Sequence, residues 1–515
     1  MIPLLTREEA RAVDEDAVAR LGVQGAVLME NAGRGAAEAL LRAFRGSLGA
    51  PVLVGGPGQN GGDAWVVGRH LRCAGVTPRA LLIGDPARLR GDARTNWEAL
   101  GALGVRCDAI PLAEAARLHD ALAGATVLVD GVFGTGLDRD VEGGYAEALT
   151  TMSAHPAPVL ALDMPSGIDA DTGAVLGVAV RAVRTVTFNA HKLGLHQHPG
   201  AGYAGVVELV GIGVPPPGGG RAQVVEPADA AAIVRPREDD AHKGSAGHLF
   251  VVGGSEGKTG AAWLAAHAAL RAGAGLATIA TRAEAQRTLE HKVREVMTTC
   301  LPPSGSTDGL LASLRRADAL VIGPGLGLDA YGEEVALTLG RHAPVPAVLD
   351  ADALTAWARA GLEGLRDAAA PRVLTPHPGE AGRLLGRTGA AVQADRYAAA
   401  RALAEIAGQV VVLKGARTIV AAPDGTLYVC DRGTPALAVA GTGDVLAGGI
   451  GALLLASSDE AGACRAACAG VVLHAIAGER AARGDRGLLA HEVADAWPDA
   501  LTACVAAAGR ASCGI

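Results

Sequence analysis

Short apolar runs recur along this chain, and almost every one ends in a glycine-rich or acidic loop that leads into a helical stretch. Residues 51–54 run into Gly55-Gly56-Pro57-Gly58-Gln59-Asn60-Gly61-Gly62-Asp63, residues 126–129 into Asp130-Gly131, and residues 158–162 into Asp163-Met164-Pro165-Ser166-Gly167. The second half repeats the theme. Residues 319–322 precede Gly323-Pro324-Gly325-Leu326-Gly327, residues 347–349 precede Asp350-Ala351-Asp352, and residues 372–374 precede Thr375-Pro376-His377-Pro378-Gly379-Glu380. Runs without polar alternation are strands buried on both faces. Strands that alternate with helices build mostly parallel sheets. The expected class is α/β, with functional loops gathered at the carboxyl ends of the strands.

A length of 515 residues calls for two domains or more. The sequence Pro215-Pro216-Pro217-Gly218-Gly219-Gly220 reads as a linker, which predicts domains at 1–220 and 230–515. Half of the residues are hydrophobic but aromatics are 3%, so the cores must be built from Ala, Val and Leu. The net charge of −8, with dispersed basic residues, argues against nucleic acid as a partner. Cys73, Cys107, Cys300, Cys430, Cys464, Cys468, Cys504 and Cys513 form no CxxC. That pattern predicts a reducing, cytoplasmic setting, with Cys464 and Cys468 as small core residues. The N-terminus lacks the features of a secretory signal. The longest apolar run, about 12 residues, predicts no membrane span.

In the first half, Thr6 and Glu9 predict a capping box on a helix to about Leu21, followed by a helix over 25–44. Gly56, Gly58 and Gly61, with Asp85 after the next strand, match a dinucleotide fingerprint, although one match is weak where glycine is abundant. A helix is expected over 64–74 and later strands over 183–188 and 206–210, with Lys192 in the loop between these two strands. Each strand-end acid has an ordinary reading as a helix cap. Asn60, Asp130 and Asp163 at one sheet rim favour a site instead.

In the second half, Ala440-Gly441-Thr442-Gly443-Asp444 precedes an apolar helix from Val445. Bare N–H groups at a helix N-terminus favour an anion. Asp444 there is read as a proton acceptor, against the alternative of a cap, with an ordinary pKa near ~3.9. Lys414-Gly415-Ala416-Arg417-Thr418 closes the strand 410–413 and brings cations, and a hairpin turns at Asp424-Gly425. The loop from Gly253 to Gly260 misses the P-loop spacing. His377, between two prolines, is read as a ligand contact in preference to a core residue.

Two resemblances emerge from these motifs. Gln59-Asn60-Gly61-Gly62-Asp63, Asp130 with Phe133-Gly134-Thr135-Gly136, Asp163-Met164-Pro165-Ser166-Gly167 and His191-Lys192-Leu193-Gly194 resemble NAD(P)H-hydrate epimerases, which are Rossmann-like. The resemblance implies exchange of the R and S hydrates at C6 of the nicotinamide ring. It implies K⁺ held by Asn60, Asp130 and Ser166. It places substrate on Gln59, Asn60, Gly61, Gly62, Asp63, Gly134, Thr135, Gly136, Leu137, Asp138, Arg139 and Asp140, with Asp163 as acid/base. Gln59 and Ala64 depart from the usual Asn and Gly, which keeps a non-catalytic nucleotide-sensing module as an alternative. The second half resembles ADP- or ATP-dependent NAD(P)H-hydrate dehydratases of the ribokinase superfamily. That likeness implies Asp444 as base; Ala262, Gly325 and His377 on the hydrate; Lys414, Gly415, Ala416, Arg417, Thr418 and Gly443 on the nucleotide; and Mg²⁺ on its phosphates. Multimers are common among such proteins, so a homo-oligomer is expected. A small-molecule kinase of the same superfamily is the other reading of this half.

Overall fold

The computed structural model describes residues 1–215, 218, 220–234, 239–303 and 306–512, with side chains to residue 509. Cys513 and part of the predicted Pro/Gly linker (Pro216, Pro217 and Gly219) lie outside the described residues. The chain divides into two compact units, residues 2–222 and residues 223–515 with Met1.

The N-terminal unit opens with α1 (Arg7–Ala19), whose capping box joins Thr6 and Glu9, and α2 (Gly25–Ala43). Its sheet is seven parallel strands: β1 (Pro51–Gly55), β2 (Arg79–Ile83), β3 (Arg106–Ile110), β4 (Val127–Gly131), β5 (Val159–Leu162), β6 (Arg184–Phe188) and β7 (Val206–Val210). Their spatial order is β3-β2-β1-β4-β5-β6-β7. This is the Rossmann order, and its switch point lies between β1 and β4. Helix α3 (Gln59–Cys73) starts directly above that point. A Cβ at Gly61 would lie 1.9 Å from the Gly56 carbonyl oxygen, so glycine alone lets the helix start this close to the strand end. The core on both sheet faces is Ala, Val and Leu, with Trp65 fully buried.

The C-terminal unit repeats the arrangement. Its strands β8 (His248–Val252), β9 (Leu276–Thr281), β10 (Met297–Cys300), β11 (Ala319–Ile322), β12 (Ala347–Leu349), β13 (Arg372–Leu374) and β14 (Val410–Leu413) are parallel. The hairpin β15 (Ile419–Ala421) and β16 (Leu427–Val429) follows antiparallel. The order β10-β9-β8-β11-β12-β13-β14-β15-β16 again puts a switch point between the first and fourth strands. Helices α4 (Thr259–Ala272), α5 (Pro378–Leu385), α6 (Arg396–Ala407), α7 (Thr442–Leu454) and α8 (Glu460–Ala481) pack around it.

Four expectations change. Residues 59–63 are the first turns of α3 and not a loop, because Gly58 already takes the N-cap position. Lys192 sits in a two-residue strand, His191–Lys192, parallel to Ile2–Leu5. Strands β3, β9 and β10 were not expected, since RCDAI, LATIAT and MTTC lack a long apolar run. Finally, α8 is long and apolar enough to cross a membrane, because helix length is not limited by uninterrupted apolar runs; its apolar stretch is 89% buried within the protein, as a core helix would be. Cys464 and Cys468 lie on its buried face.

Candidate active sites

In the N-terminal unit a cavity of about 1210 Å³ opens at the switch point. Gln59, Asn60, Asp63, Gly134, Thr135, Gly136, Leu137, Asp138, Arg139, Asp140 and Asp163 all line it. Gly61 and Gly62 do not: one packs on Gly56, the other on Met29. Asp163 follows β5 with a positive φ of 63°, a conformation costly for a side chain bearing Cβ and found where surroundings enforce it. Its Oδ1 accepts from Lys192 Nζ at 2.6 Å and its Oδ2 from the Thr135 N–H at 3.1 Å. Lys192 also donates to Thr187 Oγ1 at 3.0 Å and the Phe188 carbonyl at 2.9 Å, so its three hydrogens are all used. Burial pushes the Asp163 carboxyl up, but the charge and hydrogen bond of Lys192, with Thr135, outweigh it and hold the group below the usual carboxylate range.

Asp63 behaves oppositely. Burial, then the charges of Asp163 and Asp14, drive it well above the usual range. Beside this pair, a Cβ on Gly134 would lie 3.1 Å from Asp163 Oδ2 and 3.3 Å from Asn60 Cγ, so the three converge. Both amide atoms of Asn60 are buried without a hydrogen-bond partner among the described residues. Asp130, fully buried in β4, accepts from the Ser166 N–H at 2.8 Å, Ser166 Oγ at 2.6 Å and the Val132 N–H at 3.2 Å. Burial still lifts it to about 6. Asp85 is elsewhere: it accepts from the Ala87 N–H at 2.8 Å and caps a short helix, so the dinucleotide fingerprint does not describe this site.

In the C-terminal unit Asp444 is the third residue of α7. Gly441 begins the helix at φ 94°, a conformation that suits glycine, and the first helical bond runs from the Val445 N–H to the Gly441 carbonyl at 3.1 Å. The N–H groups of Thr442, Gly443 and Asp444 therefore lie bare at the helix start. Asp444 accepts no hydrogen bond among the described residues, so the capping alternative fails. Lys414 Nζ lies 3.4 Å from where a Gly443 Cβ would be, and donates to Asp350 Oδ1 at 2.8 Å. Asp350 is nearly inaccessible and also accepts from Thr375 Oγ1 at 2.7 Å. Burial first, then the Asp350 charge, raise Asp444 to about 7, with Lys414 pulling down and Asp352 and Glu380 pushing up. The ordinary value expected from sequence is thus corrected upward, to about 7.

His377 is exposed, which removes the core reading. Its Nδ1 accepts from the Gly379 N–H at 3.0 Å and caps α5. Gly325 is buried at φ 61° against Lys258, whose ammonium meets Asp352 at 3.3 Å. Gly415 and Ala416 are exposed, Thr418 Oγ1 donates to the Gly415 carbonyl at 2.9 Å, and Arg417 pairs with Asp431 at 3.6 Å. Ala262 departs from its expected place: it is fully buried on the core side of α4, while its neighbour Ala261 is partly exposed.

Comparison with known proteins matches both units. A sequence profile described as NAD(P)H-hydrate dehydratase covers residues 249–499, and one described as YjeF-related protein N-terminus covers residues 25–194. The bifunctional NAD(P)H-hydrate repair enzyme Nnr of Moorella thermoacetica is 40% identical over 511 residues, 96% of each chain. That of Escherichia coli is 36% identical, over 94% of this chain and 91% of its own. This chain belongs to the family of bifunctional NAD(P)H-hydrate repair enzymes. A solved ADP/ATP-dependent NAD(P)H-hydrate dehydratase from Bacillus subtilis, co-crystallized with ATP/Mg2+, is 29% identical with a TM-score of 0.47, over 55% of this chain and 98% of that one. A kinase alone would account for one unit, whereas the repair-enzyme relatives span both.

For a repair enzyme, two features of the N-terminal site escaped the sequence reading. Asp14, on α1, lines the cavity; partial burial and the Asp163 charge raise it against the pull of Lys192. Arg7 donates through Nε to the Thr135 carbonyl at 3.0 Å and through a terminal nitrogen to Asp169 at 2.5 Å, fixing the segment whose N–H holds Asp163. Their partners are over a hundred residues away in sequence, so no local pattern marks them.

Proposed function

We propose that the unit 2–222 exchanges the R and S hydrates of NAD(P)H and that the unit 223–515 dehydrates the S form using ADP or ATP. The observation that supports this reading is a pair of carboxylate centres, one in each compact unit, in a chain whose relatives match along nearly its whole length.

Epimerisation requires the C6–O bond to break and re-form on the other face. Asp163 and Asp63 have environments that push their acidities apart, which assigns a base and an acid. Protonated Asp63 gives its proton to the C6 hydroxyl, which leaves as water while the ring nitrogen supplies the electron pair. Ionised Asp163 takes a proton from the water that adds to the opposite face. Lys192 keeps Asp163 ionised and oriented. A hard monovalent cation fits the buried Asn60 oxygen, which has no hydrogen-bond partner among the described residues. Asn60, Asp130 and Ser166 would hold K⁺, which would supply fixed positive charge near the site.

In the second unit Asp444 accepts the C6 hydroxyl proton as that oxygen takes the terminal phosphoryl group of the nucleotide. The bare N–H groups of Thr442 and Gly443 face the transferred group and stabilise its charge. Phosphate then leaves, the ring nitrogen supplies electrons, and loss of a C5 proton restores the dihydronicotinamide. With ADP the other product is AMP. Mg²⁺ would arrive on the nucleotide, where it would neutralise phosphate charge. A cytoplasmic location is proposed on the cysteine pattern and a homo-oligomeric state on the resemblance.

The test is recovery of reduced-nicotinamide absorbance from a mixed R/S hydrate of NADH with Mg²⁺ and either ADP or ATP. Full recovery is expected and names the donor. Recovery that stalls when the S form is spent, beyond spontaneous exchange, would overturn the epimerase half and implicate Gln59 and Ala64. A stable phosphorylated product would overturn the dehydratase half in favour of a kinase.

A further inference from the structure

The loop that closes β14 is shaped by a side chain from another element. Arg396, the first residue of α6, is 5% exposed and has no carboxylate partner among the described residues. Its guanidinium donates to the Ala416 carbonyl at 2.7 Å, the Leu413 carbonyl at 3.1 Å and the Lys414 carbonyl at 3.3 Å. The Gly415 carbonyl is taken by Thr418 Oγ1 at 2.9 Å. Four successive carbonyls are thus bound from within. By contrast, the N–H groups of Gly415 and Ala416, both exposed residues, donate to no group among the described residues. Gly415 lies at φ 141°, and a Cβ there would sit 2.9 Å from an Arg396 terminal nitrogen. The loop therefore rests on the guanidinium with no room for a side chain between them.

A buried cation whose hydrogen bonds all go to carbonyls, with Nε unpartnered among the described residues, is costly unless its charge has a use. Backbone N–H groups left bare over a fixed positive charge form a concavity for an anion. We infer that Arg396 is a positioning residue for the phosphoryl donor: it pins the carbonyls of residues 413–416 inward, turns the Gly415 and Ala416 N–H groups toward the nucleotide phosphates, and adds its charge beneath them. Arg396 touches neither the hydrate nor the nucleotide. The inference rests on the reading of residues 414–418 as the nucleotide loop.

The experiment measures dehydratase kinetics of the full chain with S hydrate and nucleotide varied separately, for the wild type, Arg396→Met, Arg396→Lys and Gly415→Ala. In the wild type, a saturable dependence on ADP or ATP is expected; its absence would overturn the nucleotide reading itself. Given that dependence, Arg396→Met raises the nucleotide KM by about tenfold or more, the loss expected for charge-assisted bonds. The hydrate KM and the epimerase rate stay within about twofold, because uniform binding is lost at one site only. Arg396→Lys, which keeps charge without the planar fork, falls between. Should Arg396→Met not fold, Gly415→Ala tests the same contact from the exposed side and gives the same selective rise. A nucleotide KM unchanged in folded Arg396→Lys and Gly415→Ala, or parallel loss of affinity for both substrates, would overturn the inference.

Discussion

Asp444 carries the sharpest consequence at the scale of one residue. A carboxyl raised to about 7 is part protonated at neutral pH, so dehydratase kcat/KM should rise with pH through about 7 and level off above it. An acidic limb near 4 would contradict this. Stability runs the other way. The folded value exceeds the unfolded one, so the native state binds more protons between them, and stability falls as pH rises from about 4 to 7. The ionised group then costs on the order of a few kcal/mol. Asp444→Asn should therefore abolish dehydration and raise Tm at pH 8, with little change in Tm at pH 4; melting curves at the two pH values check both signs. Lys192 gives the mirror case. Lys192→Met leaves Asp163 buried beside Asp63 and Asp14 without its cation. A broken buried pair costs about 3–5 kcal/mol. Epimerisation should be lost near pH 7, with any residual rate climbing at higher pH as Asp163 regains its charge. A rate independent of pH would exclude Asp163 as the base.

At the scale of elements, the ends of β1, β4 and β5 bring Asn60, Asp130 and Asp163 together. Replacing potassium by lithium, too small for a site built around a larger cation, should slow epimerisation and leave dehydration intact; equal rates in the two salts would remove the cation from this site. Much of this was legible in the sequence. Strands buried on both faces read as apolar runs cut off by Gly or Asp, and β4, β5, β11 and β14 were found that way. Their ends, and hence Asp130, Asp163 and Lys414, followed. Helix starts were read less well. Gln59-Asn60-Gly61-Gly62-Asp63 and Thr442-Gly443-Asp444 have loop composition because helix N-termini favour the same small polar residues. What lay beyond reach was pairing across the chain. Nothing around Lys192 points to Asp163, 29 positions away, or around Arg7 to Thr135, 128 away. The acidity of Asp444 was equally hidden, because it depends first on burial and then on the charge of Asp350, which a different strand supplies. Ala262 was misplaced for a simpler reason: one step along a helix turns a residue from the rim into the core.

At the scale of the whole chain, each unit has its own run of parallel strands, its own core and its own carboxylate shifted from the ordinary range. Damage by hydration gives both epimers, and a phosphoryl transfer that fits one face of C6 leaves the other untouched. Joining the activities in one chain supplies them in equal amounts. Were the sites independent, loss of either would leave the other at full rate. Asp163→Asn should stop epimer exchange and convert the S hydrate normally, so that absorbance recovery halts with R hydrate remaining. Asp444→Asn should exchange epimers and recover nothing. Mixed in equal amounts, the two variants should return the full absorbance, because the R and S hydrates diffuse freely between molecules. The rate of the mixture then distinguishes two cases. If it matches half the wild-type concentration of each site, the fusion serves only to keep the two activities together. If both activities fall in either folded variant, the sites are coupled, and the assignment of one chemistry to each unit has to be abandoned.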